Sequence, residues 1–282
     1  MRARAPGSAA NLGPGFDALA VALGLHVEVE VVPAEELVVR SEGEGSELAC
    51  DRSHLAARVA TSVAGHDRLS ITVRSSIPVA RGLGSSAALA VAAAAAAGSP
   101  DPLAVGAAFD GHAENAAASA MGGLVAAAMV EGAPVALPLR LDPELAFVLL
   151  VPERRLDTPK ARRVLPAQVG LDDAAFNLGR MGLLVGGLAD SRLLRPQATE
   201  DRLHQPARSM LFPEARSLMD GLVEAGALAA CWSGAGPSLL GICRRSQAED
   251  LVRAGSSLMQ REGVEGTARL VEADTAGLVV SA

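Results

Sequence analysis

The sequence has no tyrosine, one tryptophan and only one lysine, Lys160, and each shortage narrows what the chain can do. No run of Lys or Arg is interleaved with aromatics. With 25 basic against 32 acidic residues, a net charge of -7, nucleic acid is not expected as a partner. A lone lysine preceded by Pro159 excludes a GxxxxGK phosphate loop, so any phosphate site must rest on backbone amides, helix dipoles, hydroxyls and arginines. Three cysteines, Cys50, Cys231 and Cys243, form no CxxC pair and are odd in number, which argues against a disulfide framework or zinc knuckle and for a reducing cytoplasm. No apolar run of membrane-spanning length lacks Gly or charge interruptions, so no membrane association is expected. The start, Met1-Arg2-Ala3-Arg4, passes at once into a glycine-rich motif and leaves no room for an export signal.

What is present suits a globular enzyme. Half of the 282 residues are hydrophobic, enough for two lobes with a core each. Val alternates with Glu from Val27 to Val32, and Leu37 to Arg40 continues the β-rich stretch, which predicts an early antiparallel pair. Leu69 to Arg74 alternates as well. Ala87 to Ala97 holds only Ala, Leu and Val, the composition of a buried helix close to a sheet, and Gly98-Ser99-Pro100 stops it. Further helices are predicted at Pro102 to Phe109 and Asn115 to Met121, and a buried strand at Leu145 to Val151. Prolines flanking Leu137 to Asp142 place a lobe boundary near residue 140, giving 1–140 and 141–282. Helical patterns follow at Asp173 to Leu188, Pro213 to Ala225 and Leu228 to Ile242, the last with a glycine-rich interruption; the end reads as helix, then strand. There is no internal repeat.

The most informative segment is Pro78-Val79-Ala80-Arg81-Gly82-Leu83-Gly84-Ser85-Ser86-Ala87-Ala88. Two glycines let the backbone approach a ligand just before a long helix, whose first amides are unpaired and whose dipole is positive there; an anion fits without a lysine. Ser85 and Ser86 can cap the helix or bind phosphate and a metal. A capped helix after a glycine turn is the alternative for this string alone. A GxGxxA dinucleotide fingerprint fits poorly, because Pro78 and Arg81 separate it from the preceding strand and no acidic residue ends a second strand.

Two other loops share this character. Pro6-Gly7-Ser8-Ala9-Ala10-Asn11-Leu12-Gly13-Pro14-Gly15-Phe16-Asp17 sets Asn and Asp on a tight turn before an apolar, helix-like stretch, and Trp232-Ser233-Gly234-Ala235-Gly236-Pro237-Ser238 lies near the other end. Together the loops resemble the motifs of the GHMP kinases, the galactokinase, homoserine kinase and mevalonate kinase superfamily. Within it the first resembles SSANLGPGFD and the second PxxxGLGSSAA of the homoserine kinases. His112-Ala113-Glu114-Asn115 resembles their HPDN segment, Thr158 to Arg162 their TxxxR segment, and Gln205-Pro206-Ala207-Arg208 with Leu211 and Pro213 their EPYRxxLxP segment. Glu114 stands where Asp is more frequent, Ala113 replaces a frequent proline, and the helix upstream of His112 lacks the carboxylate that some members use for magnesium.

The resemblance implies a two-lobed α+β fold. Its amino lobe would be like ribosomal protein S5 domain 2, with a left-handed βαβ crossover, and its carboxyl lobe ferredoxin-like. It implies transfer of the ATP γ-phosphoryl group to the side-chain hydroxyl of L-homoserine in threonine biosynthesis, and a homodimer. A kinase for another small alcohol, or a non-catalytic sensor on the same fold, is the alternative. Pro78 to Ala88 would hold ATP. Asn11, Asp17, His112, Asn115, Arg162 and Arg208 would line the acceptor pocket, where arginines suit a carboxylate and Asp17 an ammonium. Each could instead be structural: a solvated arginine, a core histidine, an Asp helix cap. Ser86 and Asp110 are the candidate Mg2+ ligands, Asp110 being the nearest carboxylate, with a solvated helix-end residue as its other reading. Glu114, Thr158 and Arg162 are the candidate catalytic residues, with no base assigned among Glu114, Asp17 and Thr158. Ser53 to Ala57 is the expected adenine segment, with an amphipathic helix as its other reading.

Overall fold

The valines of Val27 to Val31 turn inward and the intervening glutamates outward, as period-two alternation requires. They belong to the long strand β2 (Gly15–Pro33) of the first of two sheets in the computed structural model, which describes residues 1–281. β2 lies between β1 (Arg2–Asn11) and β4 (Leu69–Ser75), antiparallel to both, and β3 (Val38–Gly43) lies outside β4 and parallel to it. The early antiparallel pair expected between Val27 to Val32 and Leu37 to Arg40 therefore does not form. Helix α1 (Leu55–Ala64) carries the chain from β3 to β4 as a crossover, and a crossover makes the joined strands parallel. The stretch after Asp17 is strand rather than helix, because a run buried on both sides leaves no period to read.

Helix α2 (Ser85–Ala96) is buried almost all round, and its alanines let α3 (Pro102–Asp110) come close: a Cβ on Gly106 would lie 2.4 Å from Val91 Cγ2. After α4 (Ala113–Met121), the hairpin β5 (Leu124–Val130) and β6 (Ala133–Leu139) extends the sheet from β2.

The second sheet holds β7 (Leu145–Pro152), β8 (Ala229–Trp232), β9 (Leu239–Arg244) and β10 (Gly266–Val271), all antiparallel, in the order β10-β7-β9-β8. That order is the ferredoxin-like one. Between β7 and β8 come α5 (Thr158–Arg163), α6 (Leu171–Ala189), α7 (Gln205–Arg208) and α8 (Ala215–Glu224), and α9 (Ala248–Arg261) joins β9 to β10. Leu228 to Ile242, expected as helix, contains β8 and most of β9; these apolar runs are too short to show a helical period. Finally β11 (Val279–Ser281) returns to the first sheet beside β1, so this strand belongs with the amino lobe. Among the described residues no helix is long and apolar enough to cross a membrane.

Candidate active site

A cleft of about 550 Å³ lies between the lobes, and Pro78 to Ser86 form much of its wall. Gly82 and Gly84 have φ of 70° and 65°, in the left-handed region. A side chain on either would also collide: its Cβ would lie 2.2 Å from Ser233 O at Gly82 and 2.2 Å from Ser8 Oγ at Gly84. This tight path leaves the N–H groups from Gly82 to Ala87 without an acceptor among the described residues, at the amino end of α2. Ala87 and Ala88 do not line the cleft. Their side chains are buried, and the Ala88 N–H already donates to Gly84 O.

The other two glycine-rich loops hold this one in place. Ser8 N–H donates to Leu83 O at 3.0 Å; from the far end, Ser238 N–H donates to Arg81 O and Ser233 Oγ to Gly82 O. These braces occupy the carbonyls of Arg81, Gly82 and Leu83 and leave the loop's amides unpaired. Arg81, expected to grip ATP, is otherwise engaged. Its guanidinium donates to the carbonyls of Val79, Pro152 and Glu153, tying the loop to the end of β7.

In the first turn of α2, Ser86 Oγ donates to Asp110 Oδ1, and Asp110 Oδ2 is 3.1 Å from His112 Nδ1. The Asp110 side chain is 6% exposed, so it is no solvated helix end. Its hydrogen bond, with further help from nearby carboxylates, raises the His112 pKa against the effect of burial. Glu114 is 2% exposed, and burial is the main reason its pKa is raised. Asn115 Nδ2 donates to Glu114 Oε1, while Asn115 Oδ1 accepts from Ser8 Oγ.

At the acceptor end, the turn after β1 puts Asn11 and Asp17 at positive φ; Asn11 Oδ1 accepts the Asp17 N–H, and Asn11 Nδ2 donates to Gly234 O. Asp17 is therefore held by a fixed turn and caps no helix. Arg162 Nη2 reaches both Asp17 oxygens at 2.8 and 2.9 Å, in a pair about 40% exposed on each side. Arg208 is 2% exposed, its pKa pushed down to about 10 by burial, and both arginines sit over the Phe16 ring. Thr158 also lines this end.

The remaining end is mostly apolar, with Leu48, Leu55, Val73, Val79 and Leu89. Of the expected Ser53 to Ala57 segment only His54 and Leu55 line the cleft; Ala56 and Ala57 are buried in α1, and Ser53 is turned to solvent. His54 Nδ1 accepts the Ala56 N–H, and burial lowers its pKa. The sequence reading misses His204, buried behind Arg208, because one of its two ring partners, Gly13 O, lies 191 residues away in the chain.

Residues 52–132 match the family model for the GHMP kinases N terminal domain, and 177–260 that for GHMP kinases C terminal. The homoserine kinase of Thermus thermophilus is 41% identical over 271 residues, 92% of each chain, and that of Moorella thermoacetica 36% identical over 98% of each. The crystal structure of a homoserine kinase from Cytophaga hutchinsonii superposes with a TM-score of 0.85 at 24% identity, covering all of this chain and 97% of its own. A Leishmania major mevalonate kinase complexed with R-mevalonate gives 0.70 at 16%, covering 98% and 97%. By its three interlocked glycine loops and these full-length likenesses, the chain belongs to the homoserine kinase family of the GHMP kinases.

Proposed function

We propose that this chain transfers the γ-phosphoryl group of ATP to the side-chain hydroxyl of L-homoserine, giving O-phospho-L-homoserine on the route to threonine. One observation carries the reading: a single cleft joins the open amide row of Gly82 to Ser86 to a charge set, Asp17 with Arg162 and Arg208, that complements a zwitterion. The amides and the α2 dipole hold the β- and γ-phosphates, and the apolar end beside Leu55 and Val79 takes the base. The homoserine carboxylate lies against Arg208 and Arg162 and its ammonium against Asp17, which sets the hydroxyl beside Glu114 and Asn115.

Phosphoryl transfer has a loose transition state, so placement and charge neutralisation dominate. Mg2+ neutralises phosphate charge when bound, and it takes few protein ligands because it keeps waters and phosphate oxygens. Ser86 and Asp110, one hydroxyl beside one buried carboxylate at the phosphate end, fit that need, whereas no group of three acidic, His or Cys side chains placed to hold a metal ion is found among the described residues. Glu114 is the proton acceptor of the set. Asp17 is engaged by Arg162, and Thr158 has a hydroxyl too weakly acidic to serve, whereas burial makes the Glu114 carboxylate more basic than usual. With the boundary near residue 140, and β11 (Val279–Ser281) counted with the amino-lobe sheet that it joins, the amino lobe supplies the nucleotide grip and the carboxyl lobe the two arginines.

A coupled assay of ADP release with L-homoserine, L-serine, L-threonine, mevalonate and galactose tests this. Turnover with homoserine alone is expected. Turnover with another alcohol instead would make it a kinase of different specificity, and ATP binding without any turnover would make it a sensor.

A further inference from the structure

His204 is fully buried, at 0% exposure, and hydrogen-bonded at both ring nitrogens to groups that leave it no choice of proton position. Its Nε2 lies 2.8 Å from Gly13 O, which can only accept. Its Nδ1 lies 2.9 Å from Arg208 Nη1, which can only donate. The ring is therefore neutral with its hydrogen on Nε2, and burial pushes its pKa down to about 4. Phe16 stacks on it with centroids 5.2 Å apart, which fixes the ring plane.

Arg208 Nη1 has two hydrogens, and both are taken: one by His204 Nδ1, the other by Gly234 O at 2.9 Å. Nε is buried without a partner. Only Nη2 is left to the cleft that Arg208 lines. A guanidinium is planar, so fixing Nη1 in two directions fixes where Nη2 points.

We infer that His204 is a positioning residue for acceptor specificity: as a tautomer-locked acceptor it aims Arg208 Nη2 at the carboxylate of the amino-acid substrate. It also links that aim to the Gly13 turn, and so to Asp17, which meets the ammonium four residues on. The spacing between the two charges of the acceptor is thereby set by one hydrogen-bonded chain, Gly13 O, His204, Arg208. This rests on the reading of Arg208 as the carboxylate-binding residue.

Two near-isosteric substitutions separate the two hydrogen bonds of the ring. In His204→Asn the amide oxygen stands near Nδ1 and can still accept from Arg208. In His204→Gln the amide nitrogen stands near Nε2 and can still donate to Gly13, but the acceptor for Arg208 is lost. Expected is a rise of about tenfold in the homoserine KM for His204→Gln, with the ATP KM within about twofold of wild type, and a homoserine KM within about threefold for His204→Asn. Equal effects of the two substitutions, or an ATP KM that moves as much as the homoserine KM, would reduce His204 to a packing residue and overturn the proposal. Arg208→Ala separates the underlying reading: an unchanged homoserine KM there removes Arg208 from the acceptor site, whereas a raised one beside an unaffected His204→Gln overturns the role of His204 alone. If the variants do not fold, 15N NMR of the wild-type imidazoles decides. A protonated Nε2 and bare Nδ1 at His204 are expected, and a proton on Nδ1 would exclude the bond to Arg208.

Discussion

On the proposed reading, the two ends of the cleft grip their ligands by different means. The nucleotide end uses main-chain amides released by two glycines, and its shape is set by backbone braces from distant loops. The acceptor end uses side-chain charges, one pair half in solvent and one arginine buried on a histidine. A main-chain grip is indifferent to most side chains and intolerant of added volume; a side-chain grip is the reverse. Charge-altering substitutions should therefore affect the acceptor end alone, and volume-adding ones the nucleotide end.

The largest effect is expected for Gly84→Val. The new Cβ would meet Ser8 Oγ at 2.2 Å, Ser8 N at 2.9 Å and Asn115 Oδ1 at 3.1 Å, at a φ of +65° that a β-branched residue avoids. The loop must move. kcat/KM for ATP should fall by about a hundredfold or more, since misplacement by 1 Å is enough for that. Circular dichroism would verify that the protein still folds, and wild-type kinetics in a folded variant would take the loop out of the site.

Next is Glu114→Gln, which keeps volume and the hydrogen bond from Asn115 but cannot take a proton. kcat should fall about a hundredfold with both KM values little changed. Because burial raises the carboxyl pKa, the acid limb of the wild-type kcat profile should lie above the ordinary 4.5 and vanish in the variant. An unchanged kcat would show that transfer proceeds without a protein base.

Arg162→Ala should do less. Its pair with Asp17 is about 40% exposed, a setting in which an ion pair is worth under about 1 kcal/mol, so the homoserine KM should rise only about fivefold. Added salt should weaken homoserine binding in the wild type more than in this variant. An effect larger than that of Arg208→Ala would reverse the ranking of the two arginines.

How much of this was legible follows the same division. Gly82 and Gly84 mark a candidate phosphate loop because a main-chain site needs glycine, and its order with the other two loops points to the family and the two-lobed fold. The roles of Arg81 and His204 were not legible. Arg81 sits inside the motif, yet its donors face carbonyls 71 and 72 residues on, and His204 meets Gly13 across 191 residues. No local pattern carries such a pairing. The strand after Asp17 was read as helix for a related reason: burial on both faces removes the period that would name it.

The last expected effect is on stability rather than turnover and concerns pH, where the ends differ again. Amides do not titrate near neutrality, but His204 can take a proton. In the folded chain burial opposes this, as does Arg208, while Asp201, Gly13 O and Asp17 favour it, and the balance leaves the pKa near 4 against 6.5 for a free ring. The unfolded chain accordingly binds the proton first as the pH drops. The contribution of neutral His204 is complete above pH 6.5 and is lost progressively between 6.5 and about 4, with a slope of at most about 1.4 kcal/mol per pH unit. Urea unfolding at pH 8, 6 and 5 should show this loss in the wild type and a shallower one in His204→Asn, which has nothing to protonate there. Parallel pH dependences in the two proteins would mean that the ring is protonated in the native state, and a protonated ring cannot accept from Arg208.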